Sequence, residues 1–294
     1  MTTSPERTPS VSVIVPVKDD PRLELCLEAL VRQTYPEDRV EIVVADNGSD
    51  GPPSGLAASH PRVTLLHEPQ PGSYAARNAG VRHAKGEVVA FTDADCLPDP
   101  TWLERAVARL GDDADIVTGE ITVFAADLAR PTPIEAYEVI KGFPQRRYAT
   151  ESGWAATANL VTTRRVLDAV GPFDQRLRSG GDADWGCRAT GQGFRLRYDE
   201  SVRVRHPARV TFAECYLKLV RVHQGAHDRA RLAGRRSPVR LKAGSLVPPL
   251  GALRRSNRPD ALPGLRARLA YVVGEVFVRY AAVSATLRVR RESR

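Results

Sequence analysis

Glu87-Val88-Val89-Ala90-Phe91-Thr92-Asp93-Ala94-Asp95 gives the clearest indication of the fold. Its apolar run predicts a buried strand, and two carboxylates follow directly where that strand ends. Apolar, β-branched runs at 11–17, 40–45 and 63–66 predict three more strands, with helical spacings between them. Strands that alternate with helices predict an α/β fold, in which helices flank a mostly parallel sheet on both faces.

Carboxylates follow two of these predicted strands, Asp46 after the second and Asp93 with Asp95 after the fourth. Ligands of such sheets bind beyond the carboxyl ends of the strands. Mg²⁺ and Mn²⁺ prefer oxygen ligands, commonly one or two carboxylates plus substrate phosphates, and they neutralise a leaving diphosphate. Asp93 and Asp95 are therefore candidate metal ligands, although an isolated pair of this spacing is more often a solvated turn before a helix.

Two further polar groups are expected near the same edge of the sheet. The Asp46 carboxylate can accept a hydrogen bond from a uracil imide or a ribose hydroxyl, or it can close an Asx turn. Arg77 lies in the small-residue stretch 72–80 and can pair with a phosphate oxygen, or it can be an ordinary surface arginine of a helix. The residues alone leave both alternatives open at each position.

Taken together, these residues resemble family 2 of the glycosyltransferases with the GT-A fold. The motifs that carry the resemblance occur in one order: Pro16, Asp46-Asn47-Gly48-Ser49, Ala76-Arg77-Asn78-Ala79-Gly80 and Phe91-Thr92-Asp93-Ala94-Asp95. Later motifs extend it: Gly153 to Asn159, Val170-Gly171-Pro172-Phe173-Asp174 and Gly181-Asp182-Ala183-Asp184-Trp185. The resemblance covers about residues 10–210 and implies the same fold and reaction class.

The resemblance also implies roles for single residues. Asp46 would contact the nucleoside and Arg77 the diphosphate. Asp93 and Asp95 would form the metal motif, with Asp95 the direct ligand. Asp182 matches the family's catalytic base, which takes a proton from the acceptor hydroxyl as that hydroxyl attacks the anomeric carbon. The family is inverting, so direct displacement without a covalent intermediate is expected.

Five further residues are candidates with open alternatives. Trp154 and Asn159 are expected to line the acceptor and sugar pocket, and Pro16 the donor site, although Trp154 can equally be a core tryptophan. His206 matches a late histidine that completes the metal shell in related enzymes, but a lone histidine is as often structural. Asp184 is the rival of Asp182 for the role of base. Alternatively, Asp184 is a carboxylate that the dipole at the N-terminus of a helix stabilises.

The sequence departs from the family pattern in several places. Gly181 stands where the family usually has Glu, so the carboxylate before Asp182 is missing. Asn47 replaces the usual second Asp of its turn, and Lys18-Asp19 replaces the common Tyr-Asn after the first strand. The Gln-x-x-Arg-Trp motif of processive synthases is absent, because Gln224 is followed by Gly-Ala-His-Asp. We therefore expect transfer of a single sugar rather than polymerisation.

The predicted function is transfer of one sugar from a UDP-, GDP- or dTDP-sugar, with Mn²⁺ or Mg²⁺, to an acceptor hydroxyl on a lipid-linked glycan or a small molecule. One alternative is a nucleotidyltransferase, although that class tends to have a Gly-rich phosphate loop after the first strand, where this chain has Pro16-Val17-Lys18-Asp19-Asp20. The other alternative is a non-catalytic sugar-binding or scaffold protein. The presence of the four candidate site carboxylates argues against a non-catalytic protein; they are Asp46, Asp93, Asp95 and Asp182.

Charge and cysteine content bear on organisation and location. The chain has a net charge of +8, and residues from 218 onward hold 18 Lys and Arg against 4 Asp and Glu. Four scattered cysteines and a polar N-terminus indicate a reduced, cytoplasmic protein. The chain is predicted to have a disordered lead at 1–10, a glycosyltransferase domain at 11–210 and a basic helical extension at 211–294. Within the domain, 11–119 is the predicted nucleotide-sugar half and 120–210 the predicted acceptor half.

A final helix is predicted over about residues 265–289, with arginines before and after a mainly apolar stretch. Glu275 and Arg279 interrupt that stretch, whereas a membrane-spanning helix needs about 20 predominantly apolar residues. An interfacial helix on an anionic membrane, peripheral to its inner face, is one interpretation. Packing on the protein is the other. Nucleic-acid binding is not expected, because the basic region lacks interleaved aromatic residues.

Overall fold

The computed structural model describes residues 8–111, 113–241, 243–249, 251–256 and 262–292. Most of the predicted disordered lead therefore lies outside the described residues. The chain divides into two compact units. The first comprises the chain up to Ile121 together with Pro144–Gln175 and Gly181–Arg205, and the second comprises Thr122–Phe143, Arg176–Gly180 and His206–Arg294.

Eight strands lie in the described part of the chain and form one sheet. They are β1 (Val11–Val17), β2 (Val40–Asp46), β3 (Val63–His67), β4 (Val88–Phe91), β5 (Leu97–Pro98), β6 (Ile116–Phe124), β7 (Leu160–Thr163) and β8 (Leu196–Pro207). Their order in the sheet is β3-β2-β1-β4-β7-β6-β8-β5. The β1–β2, β1–β4 and β2–β3 pairs are parallel, whereas β4–β7, β6–β7 and β5–β8 are antiparallel.

Helices connect and cover these strands. In chain order they are α1 (Leu23–Val31), α2 (Leu56–Ser59), α3 (Ser73–His83), α4 (Trp102–Arg109), α5 (Pro133–Lys141), α6 (Gln145–Ser152), α7 (Arg164–Val170), α8 (Gly181–Gly191), α9 (Phe212–Leu232), α10 (Ala252–Ser256) and α11 (Gly264–Glu292). Short 3₁₀ turns occur at Glu37–Arg39, Thr157–Asn159 and Ala243–Leu246. The predicted α/β class, with a parallel first part and a long C-terminal helix, is confirmed.

The central strand β1 shows why the first unit folds as it does. Val13, Ile14 and Val15 are fully buried, because β2 and β4 pair on either side and α3 packs against the strand. Fully burying side chains of this size contributes about 1.5–3 kcal/mol each. The pairing sets Val17 beside Asp46, so the chain leaves both strands at the same edge of the sheet. That edge is where the candidate site lies.

Three features differ from the pattern predicted from the sequence. The sequence predicts a helix from Asp184 that ends at Gly191, whereas α8 already begins at Gly181, so Asp182 lies in its first turn. Alternating side chains at 194–198 and 202–205 predict two separate half-exposed strands, whereas Leu196–Pro207 forms the single strand β8. Helix α5 was not predicted, although Thr132 and Glu135 form a capping box ahead of it, with Pro at its first position.

Helix α11 packs against α5 and α9 within the second unit. Its buried residues recur every three or four positions; they include Ala267, Tyr271, Gly274, Val278, Ala281, Ala285 and Val289. A Cβ on Gly274 would lie 2.0 Å from the Pro133 carbonyl oxygen, so only glycine allows this close approach to α5. By length and composition alone α11 could also cross a membrane, and 33% of its most apolar window is buried.

An ion cluster joins α5 and α9 within the same unit. The buried Glu138 carboxylate accepts hydrogen bonds from the Arg209 backbone (2.9 Å), the Arg209 guanidinium (2.9 Å) and the Lys218 ammonium (3.1 Å). Burial raises the pKa of Glu138, but the charges of Lys218 and Arg209 outweigh this and hold the pKa below its ordinary value. Both carboxylate oxygens are thus satisfied by the fold itself.

Candidate active site

Asp46 ends β2 beside the end of β1, and its side chain closes the turn that follows. Its Oδ1 accepts hydrogen bonds from the Ser49 amide (3.1 Å) and hydroxyl (2.6 Å), and Oδ2 lies 3.4 Å from His67 Nδ1. Burial raises the pKa of Asp46, but the Ser49 hydrogen bonds and His67 outweigh this and lower it. Asp46 is therefore an Asx-type turn residue held as an anion, next to the half-buried Pro16 of β1.

Asn47, which replaces the family's second Asp, ties down the loop that leads into α3. Its amide nitrogen donates to the carbonyls of Glu68 (3.0 Å) and Gln70 (2.7 Å), and its oxygen accepts from the Gly72 amide (2.6 Å). An Asp side chain has no N–H to donate to these carbonyls. The departure from the family pattern thus has a structural role, since it fixes the approach to Ser73 and Arg77.

Arg77 lies on α3 and is buried. One terminal nitrogen, Nη2, bonds to Asp93 Oδ1, and Nη1 contacts the Ser73 carbonyl at 3.4 Å. Its Nε is buried and has no hydrogen-bond partner in the described part of the chain. An orphaned buried donor is costly unless a ligand or water satisfies it. Arg77 and Asp93, predicted to act on one diphosphate, are thus brought into direct contact.

Asp93 and Asp95 lie just beyond β4, and both side chains are partly exposed. Asp95 lies 3.4 Å from Arg22, and its Oδ1 lies 3.8 Å from the thiol of the buried Cys96. Burial, together with the charges of Asp93 and Asp95, raises the pKa of the Cys96 thiol. Two partly exposed carboxylates beside a protonated thiol form an oxygen donor set that suits Mg²⁺ or Mn²⁺.

Asp182 lies in the first turn of α8, and one of its oxygens is held in place. Its Oδ1 accepts from the Ala183 amide (2.9 Å) and from the Tyr74 hydroxyl (3.3 Å). Burial raises the pKa of Asp182; Asp93 acts in the same direction, whereas the Ala183 amide, Arg77 and Tyr74 oppose it. The net effect is upward, which makes the carboxylate a stronger base.

Asp184 has a different environment two residues later on the same helix. Its Oδ2 lies 3.0 Å from Arg188 Nε, one turn along α8. The Arg188 guanidinium also donates to the carbonyls of Val170 and Pro172. Asp184 therefore belongs to an ion pair that ties α8 to the end of α7.

Trp154 and Asn159, both predicted for the acceptor and sugar pocket, have different environments. The half-buried Trp154 stacks on Tyr148 with ring centroids 3.9 Å apart. Asn159 is fully buried; its amide donates to the carbonyls of Glu120 and Val202 and accepts from the Trp102 indole. The structure does not bring Asn159 to an open pocket, because its polar groups already join three segments of the core.

His206 belongs to the second unit. Its ring lies 6.1 Å from that of Phe143, and its Nδ1 is 2.8 Å from the Pro207 carbonyl oxygen, so Nδ1 can donate to that carbonyl. Metal-ligating histidines commonly donate their other ring N–H to a carbonyl in this way.

Residues 12–171 match the family model described as glycosyl transferase family 2. The chain belongs to that family. Glycosyltransferase AglE of Haloferax volcanii is 36% identical over 224 residues, which cover 74% of this chain and 73% of AglE. The pre-mycofactocin glycosyltransferase of Mycobacterium tuberculosis is 27% identical over 68% of this chain and 43% of its own length.

A solved structure shares the fold of this glycosyltransferase. It is the mannosyltransferase PcManGT from Pyrobaculum calidifontis, in complex with GDP-Man and Mn²⁺. The TM-score is 0.62 at 22% sequence identity, and the match covers 100% of this chain and 90% of that one. The GT-A fold and the glycosyltransferase class expected from the sequence are confirmed.

Sequence reasoning missed two aromatic residues of this region, Tyr74 and Tyr148. Tyr74 donates to the predicted base Asp182, and Tyr148 stacks on Trp154. Tyr74 directly follows Ser73 in a motif that the sequence does single out. Its partner, however, is 108 positions away in the chain. No local pattern in the sequence indicates such a contact.

Proposed function

We propose that this family 2 glycosyltransferase transfers a single sugar from a nucleotide-diphosphate sugar to an acceptor hydroxyl, with inversion at the anomeric carbon. The observation that carries the proposal is the Asp182 carboxylate. Its Oδ1 is fixed by Ala183 and Tyr74, while Oδ2 has no hydrogen-bond partner among the described residues. A carboxylate held by one oxygen, with a raised pKa, is suited to accept a proton from a hydroxyl.

The proposed reaction is a direct displacement. Oδ2 of Asp182 takes the proton of the acceptor hydroxyl while the hydroxyl oxygen forms a bond to the anomeric carbon. The bond from that carbon to the diphosphate oxygen breaks, and the nucleoside diphosphate leaves with the electron pair. Attack and departure on opposite faces of the ring invert the configuration. Asp184 is left out of this step because Arg188 already neutralises it.

Asp93 and Asp95 would hold a divalent cation, and the chemistry of their carboxylates fits one. Such a cation neutralises charge that develops on the leaving diphosphate. His206 is retained as a third proposed ligand on the family resemblance. The buried Nε of Arg77 lacks a partner and would donate to a diphosphate oxygen, since a guanidinium can serve Asp93 and a phosphate at the same time.

Pro16 and Asp46 would bind the nucleoside at the ends of β1 and β2. Trp154, stacked on Tyr148, would offer an apolar face to a sugar ring. The GDP-Man and Mn²⁺ bound by the structural neighbour make GDP-mannose with Mn²⁺ the first donor to test. UDP- and dTDP-sugars and Mg²⁺ complete the panel.

The test is release of nucleoside diphosphate from each donor, with Mn²⁺, Mg²⁺ or EDTA, in the presence and absence of candidate acceptors. We expect one donor class to be hydrolysed slowly without acceptor and transferred faster with one, and EDTA to abolish both. The anomeric configuration of the product, read by NMR, tests inversion. Metal-independent transfer, or a product that retains the configuration, would contradict the corresponding part of the proposal.

We also propose that the second unit meets an anionic membrane surface through α11, which would suit a lipid-linked acceptor. The helix carries exposed apolar side chains at intervals of three, four or seven: Leu265, Leu269, Val273, Val276, Tyr280 and Leu287. At 3.6 residues per turn these positions share one side, opposite the buried set. Two opposite apolar faces explain why α11 packs on α5 and α9 and still presents an apolar stripe.

Charge complementarity favours an anionic bilayer over other partners for this stripe. Arg266 lies near its start, and Arg290 and Arg291 lie at its end; all three are exposed. A pocket of about 430 Å³ at the same end of α11 is lined by residues that include His227, Arg240 and Arg290. Each basic group near an anionic surface contributes about 1 kcal/mol to binding.

Flotation with liposomes tests the membrane proposal. The intact protein should float with phosphatidylglycerol vesicles at low salt, and less with pure phosphatidylcholine. Leu269→Asp with Val273→Asp should abolish flotation, whereas Leu25→Asp, at an exposed leucine of α1 in the first unit, should not. If the wild type stays in the soluble fraction, or dimerises through the stripe in sedimentation measurements, the membrane proposal is wrong.

A further inference from the structure

The space beside the predicted base is filled by an aromatic ring. Gly181 stands where the family usually has Glu, directly before Asp182. A Cβ on Gly181 would lie 2.7–2.9 Å from three carbons of the Tyr74 ring, closer than real side chains approach. The ring and a side chain at 181 therefore exclude each other. The missing carboxylate of the family pattern is linked to the presence of Tyr74.

The Tyr74 ring is fixed from several sides. It is buried, it stacks on Phe173 with centroids 5.9 Å apart and an interplanar angle of 23°, and the Arg77 guanidinium lies 5.6 Å from its centroid. Phe173 is held in turn, because Asn78 of α3 bonds to both its backbone amide and its carbonyl. A ring packed in this way has little freedom to move its hydroxyl.

The Tyr74 hydroxyl lies 3.3 Å from Oδ1 of Asp182, and the Ala183 amide lies 2.9 Å from the same oxygen. Two donors on one oxygen fix the rotation of the carboxylate and leave Oδ2 available. Without the hydroxyl, the Ala183 amide alone would hold Oδ1, and a single hydrogen bond leaves a carboxylate free to turn. The Tyr74 hydroxyl therefore fixes the orientation of the Asp182 carboxylate, which a side chain that only fills space could not do.

We propose that Tyr74 is a positioning residue for Asp182, and that its ring and hydroxyl together replace the carboxylate that this chain lacks at position 181. Tyr74 orients the base through Oδ1 and does not touch the reacting atoms. The inference rests on the proposed function, because it requires Asp182 to be the base.

Tyr74→Phe separates the hydroxyl from the ring, since Phe keeps the packing over Gly181. We expect kcat to fall about tenfold, the equivalent of one lost hydrogen bond, with an unchanged KM for the donor. The Tyr74 hydrogen bond lowers the pKa of Asp182. Its loss should therefore move the acidic limb of the kcat–pH profile to higher pH.

Tyr35→Phe is the matched control, because Tyr35 is also buried and its hydroxyl also donates, to the Pro9 carbonyl at 2.7 Å. If Tyr74→Phe and Tyr35→Phe have the same kcat and pH profile, the positioning role is wrong. If the wild type transfers no sugar from any donor, it is the proposed function that fails. The two failures are thus distinguishable.

A pair swap provides a second test that does not depend on Tyr74→Phe. Tyr74→Ala should lower kcat and leave space at position 181, and Gly181→Glu in that background should restore part of the loss. Gly181→Glu alone should be harmful, because the new side chain meets the Tyr74 ring. The effect of Gly181→Glu on kcat would thus change sign with the residue at position 74, which is an energetic coupling between two neighbouring side chains. If the two changes simply add, the replacement relation between positions 74 and 181 is refuted.

Discussion

Two clusters of charge in this protein are satisfied to different degrees. In the second unit, the Glu138 carboxylate receives three hydrogen bonds from Arg209 and Lys218, and both of its oxygens are used. In the first unit, Asp182 uses one oxygen, and Arg77 keeps a buried nitrogen without a partner in the described part of the chain. Both clusters include buried charged groups, but only in the Glu138 cluster do both oxygens of the carboxylate have hydrogen-bond partners.

The difference indicates what each cluster is for. Leaving a buried polar group unsatisfied costs about 1–3 kcal/mol, so such a group calls for a ligand or an ordered water as its partner. The Glu138 cluster has no capacity left and is expected to act on stability alone. The cluster around Asp182, Arg77 and Asp93 has spare donors and acceptors, and it is expected to act on donor and acceptor binding and on rate.

The largest expected effect comes from removing the base. Asp182→Asn keeps the shape but cannot take a proton, so kcat should fall about 100- to 10,000-fold. Donor affinity, measured by calorimetry, should stay within about threefold, because the proposal places Asp182 at the acceptor hydroxyl.

Asp184→Asn is the matched control on the same helix. Its expected effect on kcat is small, since Asp184 pairs with Arg188, and a loss of stability is the main consequence. If Asp182→Asn is active and Asp184→Asn is inactive, Asp184 is the base and the assignment of Asp182 is wrong.

Glu138→Gln should change stability without changing the chemistry. Removing the charge leaves Lys218 and Arg209 without their counterion, which costs about 3 kcal/mol for a largely buried pair. The folded pKa of Glu138 is lowered. Its contribution is therefore full above the ordinary glutamate pKa of about 4.3 and is lost as the pH falls through the lower folded value.

Urea unfolding at several pH values measures this effect. The difference in unfolding free energy between wild type and Glu138→Gln should be present at pH 7 and shrink on acidification. The exposed Glu151→Gln, on α6, should show no such difference. A Glu138→Gln variant as stable as wild type at pH 7 would show that the complete cluster does not stabilise the second unit.

Arg77→Lys gives the smallest of the expected effects. Lysine keeps the charge but lacks Nε and the planar fork, so it cannot serve Asp93 and a diphosphate together. Donor affinity should fall about tenfold, or about 1.4 kcal/mol. Arg82→Lys, on the exposed side of α3 where Arg82 pairs with Glu68, should leave affinity unchanged. Equal donor binding by both variants would remove Arg77 from the donor site.

The parallel part of the sheet was predictable from the sequence, because its strands coincide with mainly apolar runs at 11–17, 40–45, 63–66 and 88–91, and such runs are a local feature. The sequence also placed carboxylates at the ends of β2 and β4, since polar residues directly after a strand show in the local order of residues. Family membership followed from the same short motifs.

Local sequence patterns did not indicate which of these groups meet. The contact of Tyr74 with Asp182 joins positions 108 apart, and the core role of Asn159 depends on Glu120, Val202 and Trp102, none of which is near it in sequence. The requirement for glycine at position 181 likewise depends on the Tyr74 ring of α3, which lies where a Cβ would be. Periodicity reports on neighbours along the chain, whereas the hydrogen-bond partner of a side chain is set by packing between distant segments.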